Sequence, residues 1–146
     1  MLTDIVSALL YKKEKYCILQ GLSEEELLSN CADALKSGIS IIQFNPFEFD
    51  CNSVKSGHKL RQLCSIYDSL FIVKSRCDIA NLTCANGVML TNSDITPEDA
   101  RKILNHEMLI FTDYISDDSD AVLSLKKHEN IKNQFVMSDK NIYLRV

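Results

Sequence analysis

The sequence predicts an α/β protein made of successive strand-helix units, and three observations carry that prediction. Short continuous apolar runs recur at 16–20, 39–44, 70–73, 87–90 and 108–111, as in strands buried on both faces of a parallel sheet. The segments between them place apolar residues at helical spacing behind capping signals. Strands alternating with helices then require right-handed crossovers and a parallel sheet with its helices outside. With 146 residues, the chain is expected to be too short to close an eight-stranded α/β barrel by itself.

Residues 3–14 fit a leading helix with Ile5, Val6, Leu9 and Leu10 on one face. Tyr16 to Gln20 is the first strand, closed by Gly21. Ser23-Glu24-Glu25-Glu26 is a capping box with acids in the first turn, and the helix it opens ends at Gly38, a suitable C′ residue. Ile39 to Phe44 is a second strand, stopped by Asn45-Pro46 because proline has no ladder donor. Residues 53–67 form a helix that Gly57 weakens, and Leu70 to Val73 the third strand.

A short helix over 76–83 leads to a fourth strand at Gly87 to Leu90. Thr96-Pro97-Glu98-Asp99 opens a further helix with a cap, an N1 proline and two acids, and Met108 to Phe111 is the fifth strand. Asp117 to Lys127, acids first and lysines last, is expected to be helical. Phe135 to Met137 and Ile142 to Val146 are short terminal strands. No Gly-rich stretch marks a linker, so 1–146 is expected to form a single domain.

Composition is that of an ordinary globular protein, 46% hydrophobic and 25% charged. The net charge of −4 and the lack of a Lys/Arg stripe with interleaved aromatics argue against a nucleic-acid partner. No apolar run reaches the roughly 18 residues of a membrane span, and the acidic start Met1-Leu2-Thr3-Asp4 is not that of a signal peptide. A cytoplasmic location is expected. Six cysteines without a Cys-x-x-Cys pair are expected to be reduced core thiols.

In such folds the ligand sits at the C-terminal ends of the strands. The polar residues expected there include Gln43, Asn45, Lys74, Ser75, Asn92, Asp94, Thr112 and Asp113, a mixed ring suited to a small phosphorylated or amide-bearing molecule. His58, His106 and His128 fall in or beside helices and are expected to be surface or packing residues. The acids at 113, 117, 118 and 120 read either as a cluster that attracts a cation or as a solvated loop and helix cap. Phe44, Phe47 and Phe49 either plug a vestigial pocket or form a partner surface.

The stretch Cys31 to Phe44, in which Ala34-Leu35-Lys36-Ser37-Gly38 runs into a strand closing on Gln43, resembles the first half-repeat of the thiamine phosphate synthase/TenI family. Leu70 to Val73, Arg76, Asp78-Ile79-Ala80, Ala85 to Val88, Asp94-Ile95 and Ala100-Arg101 continue the same order to about residue 120. The resemblance implies an incomplete TIM-type (β/α) barrel of about five parallel strands with outer helices. It also implies a protein of thiamine biosynthesis that binds a pyrimidine or thiazole phosphate ester.

By the same resemblance, substrate-binding positions fall at Gln43, Asn45, Lys74, Asn92 and Thr112, and a magnesium ligand at Asp94. The family's Arg and Lys after the second strand are here Asn45 and Phe47, and its first magnesium-binding Asp is Ser75. Mg²⁺ is therefore expected to bind weakly, with one surviving ligand. Synthase activity is expected to be weak or lost, the alternative being a non-catalytic binding or assembly module, a pseudoenzyme that keeps only the fold. An open sheet has unpaired edges, so residues 131–146 are expected to cover them, or else a homodimer or a separately encoded second half-barrel.

Overall fold

The structure, a computed structural model, describes residues 14–19, 23–46, 51–105, 107–131 and 133–146, with the side chain of Cys51 left aside. The leading helix expected over 3–14 lies outside these residues, apart from Glu14, as do Gln20, Phe47, Phe49 and His106. In chain order the elements are β1 (Lys15–Leu19), α1 (Glu24–Lys36), β2 (Ile41–Phe44), α2 (Cys51–Ile66), β3 (Leu70–Lys74) and α3 (Cys77–Leu82). They continue as β4 (Gly87–Leu90), α4 (Pro97–Ile103), β5 (Leu109–Thr112), β6 (Ala121–Ser124), β7 (Gln134–Asp139) and β8 (Ile142–Arg145).

Helix starts follow the capping chemistry of the sequence. Ser23 accepts from the Glu26 N–H to open α1, and Thr96 accepts from Asp99 to open α4 behind Pro97. Gly38, at φ +98°, ends α1 in the left-handed conformation that favours glycine.

The expected open sheet of five strands is corrected: eight strands close into a barrel in the order β1 to β8. Strands β1 to β7 pair in parallel with their neighbours. Antiparallel β8 then fills the gap between β7 and β1, with Tyr143 opposite both Met137 and Tyr16. A short chain closes the ring because its last steps dispense with helices. Residues 113–120 and 125–133 link β5, β6 and β7 without a helix among the described residues, and a hairpin turn with Asn141 at φ +64° makes the last connection.

Closure bears on two further expectations. The segment 117–127 is not a helix: the Asp120 carboxylate accepts from the Ile110 N–H and from Arg101. It thereby pins the chain to β5, and Ala121 to Leu123 run on as a buried strand. Residues 134–145 supply the missing wall, the cover expected of 131–146, so no edge of the sheet is left unpaired among the described residues.

Strand alternation divides the core in two. The outer layer packs Leu27, Cys31, Leu60, Cys64, Phe44 and Val73 between helices and sheet. The interior holds Tyr16, Ile41, Ile72, Met89, Phe111, Leu123 and Phe135. Tyr16 is its hub, with ring centroids 5.5 Å from Phe111, 5.8 Å from Phe135 and 6.2 Å from Tyr143.

Candidate functional site

The C-terminal strand ends form one mouth, and the residues expected there divide into groups the fold brings together and groups it separates. Gln43 faces inward on β2 and is 2% exposed. Its Oε1 accepts from the Tyr16 hydroxyl at 2.5 Å, and its Nε2 donates to Asn45 Oδ1 at 2.7 Å. A buried polar chain thus runs from the barrel interior to the rim, fully satisfied as low dielectric demands. Burial pushes the Tyr16 phenol well above the usual tyrosine range, and the nearby Tyr143 adds to the shift.

Asp94 closes the turn after β4. One of its oxygens, Oδ2, accepts from the Ser75 hydroxyl at 2.8 Å, the Thr91 N–H at 2.8 Å and the Thr91 hydroxyl at 3.0 Å. Ser75 reaches it from a left-handed backbone, φ +65°. Asn92 is exposed within the same turn. The two positions that the family resemblance makes magnesium ligands are therefore joined here by a hydrogen bond. No group of three Asp, Glu, His or Cys side chains among the described residues is arranged to hold a metal. These donors do not fit a Mg²⁺ held by the protein alone, since that ion needs oxygen ligands free for octahedral coordination.

Thr112 lies apart from the mouth. It shares the outward parity of Ile110 on β5, is fully buried, and donates to the Tyr114 carbonyl at 2.7 Å. Phe44 is in the outer core, stacked on Phe71 with centroids 6.3 Å apart, so neither plug nor partner surface describes it. Arg76 pairs with Asp78 across the start of α3. Cys31, Cys64 and Cys77 are buried free thiols, as expected, while Cys84 is exposed.

Lys74, two residues beyond Ile72, shares its inward parity at the end of β3 and is half-buried. Asp113 follows the end of β5. Burial pushes its carboxyl up from the ordinary range, the charge of Asp94 adds to this, and Lys74 opposes it. Tyr143 completes the rim from β8, its phenol raised by burial and by the Asp113 charge. Tyr16 and Tyr143 escaped notice in the sequence. Tyr16 was legible through its alternation with Ile18, but Tyr143 was not, because only the antiparallel pairing of β8 turns it inward.

A family model described as thiamine monophosphate synthase matches residues 15–122. A thiamine-phosphate synthase of Nostoc punctiforme is 37% identical over 103 residues, 70% of this chain but 29% of its own length. That of Campylobacter jejuni is 36% identical over 111 residues, 75% of this chain and 48% of its own. A solved thiamine phosphate pyrophosphorylase from Pyrococcus furiosus superposes with a TM-score of 0.58 at 30% identity, covering 66% of this chain and 48% of that one. The chain thus spans about half or less of these relatives. No helix among the described residues is long and apolar enough to cross a membrane. Since the matched stretch runs from β1 into β6 and includes Gln43, Lys74 and Asp94, the chain belongs to the thiamine monophosphate synthase family.

Proposed function

We propose that this protein works in thiamine biosynthesis by binding a pyrimidine or thiazole phosphate ester at the barrel mouth, with its metal-dependent synthase activity weak or lost. One observation carries the reading: the hydrogen bond between Ser75 and Asp94, at 2.8 Å, occupies the place where the resemblance sets a pair of magnesium carboxylates. Departing pyrophosphate needs cations to neutralise its developing charge. Asn45 supplies none, and Asp94 is committed to a turn. Lys74 still offers an ammonium contact to a small ligand at the rim, beside Gln43 and Asn45, which are bonded to each other. The proposed setting is the cytoplasm, with neither nucleic acid nor membrane as partner. A closed sheet needs neither a second copy nor a second half-barrel to complete it.

The second reading, an assembly module that keeps only the fold, is favoured by the interior rings of Tyr16, Phe111 and Phe135, which fill the barrel beneath the mouth. Calorimetric titration with thiamine phosphate and with pyrophosphate, each with and without Mg²⁺, separates the readings. Metal-independent binding of thiamine phosphate is expected. Tight Mg²⁺-dependent pyrophosphate binding would restore a working synthase, and no heat with either ligand would leave the module.

A further inference from the structure

Most polar side chains of the mouth are consumed by one another. Tyr16 bonds Gln43, Gln43 bonds Asn45, and Ser75 and Thr91 bond Asp94. Three are not. Among the described residues, the Lys74 ammonium and the Tyr143 hydroxyl have no hydrogen-bond partner, and the Asp113 carboxylate meets only its own backbone N–H.

Register brings these three together. Lys74 pairs with Met89 and Met89 with Phe111, and Asp113 stands exposed in the bend just after Thr112 ends β5. Tyr143 pairs with Tyr16 and packs against the interior cluster. The charge of Lys74 acts on Asp113 and that of Asp113 on Tyr143, yet Lys74 and Asp113 do not close into an ion pair. Opposite charges that lie near one another without pairing are available to a molecule bearing the complementary pair. Tyr143 lies beyond residue 122, where the family match ends, whereas Lys74 and Asp113 lie within the matched stretch.

We propose that Lys74, Asp113 and Tyr143 form a recognition site for a small zwitterion, with an anionic group against Lys74, a protonated nitrogen against Asp113 and the ligand's body on the Tyr143 ring. The assignment rests on the reading that the mouth binds a small ligand, and it names the chemistry selected there. Charge-assisted bonds at both ends set the ligand's length and direction, and the ring face adds attraction for a cation held above it.

The test titrates the full chain with O-phosphoethanolamine, and separately with its two halves, inorganic phosphate and ethylammonium. The zwitterion is expected to bind at least about tenfold more tightly than either half. Lys74→Met and Asp113→Asn are each expected to erase that preference, and Tyr143→Ala to weaken binding while Tyr143→Phe retains most of it. Equal affinity of the wild type for the zwitterion and its halves overturns the assignment without recourse to any variant. So does undiminished zwitterion binding by folded Lys74→Met and Asp113→Asn. If O-phosphoethanolamine binds in this pattern and thiamine phosphate does not bind, the pathway reading fails and the zwitterion site stands. Thiamine phosphate held equally by wild type and both charge variants has the opposite consequence.

Discussion

The Tyr16 hydroxyl donates to Gln43 Oε1 at 2.5 Å across the first two strands, where neither residue is more than 2% exposed. Removing the donor leaves a buried amide oxygen unpaired. Tyr16→Phe is therefore expected to cost about 1–3 kcal/mol and to lower Tm by several degrees, as read in thermal melts. An unchanged Tm would mean that the amide finds another donor.

The same phenol sets an alkaline limit. Its folded pKa is raised by burial above that of the unfolded chain, near 10. Between the two values the unfolded state loses its proton first, so this contribution to stability is full below pH about 10 and declines as pH rises. Urea unfolding at pH 8 to 11 is expected to show that decline, and Tyr16→Phe to flatten it.

Ser75→Asp sets a second carboxylate beside Asp94. Without divalent ions the like charges are expected to destabilise the turn, and added Mg²⁺ to restore it. Melting curves with and without Mg²⁺ are the readout: a metal-dependent rise in the variant and none in the wild type. A wild-type rise of equal size would contradict the account of Asp94 as a turn brace.

Gly87 begins β4 where the barrel wall leaves no room. A Cβ there would stand 2.6 Å from the Leu109 carbonyl oxygen and 2.9 Å from its Cβ. The obstacle is backbone in the paired strand, so it cannot rotate away. Gly87→Ala is expected to destabilise by about 1–3 kcal/mol or more, and a denaturation midpoint equal to the wild type's would refute the crowding.

Deleting residues 131–146 removes β7 and β8 and uncovers the edges of β1 and β6. The shortened chain is expected to self-associate or precipitate, visible as higher-mass species by light scattering, while the full chain gives a single species. A monomeric, cooperatively melting deletion would show that the hairpin is dispensable for closure.

Much of this protein was determined by sequence alone. The parallel strands β1 to β5 announce themselves as continuous apolar runs because both of their faces are buried. Ser23, Gly38 and Thr96-Pro97 mark helix ends because capping depends on nearest neighbours. Gln43, Lys74 and Asp94 were legible as strand-end residues for the same local reason. Closure of the barrel belonged to the tertiary structure. Ala121 to Leu123 is as compatible with a helical turn as with a strand, and only pairing to β5 and β7 decides between them. Likewise Tyr143 meets Tyr16 from the other end of the chain, through a register that no local pattern encodes. Ser75 and Asp94, in turns far apart in the chain, become a bonded pair only when β3 and β4 lie side by side.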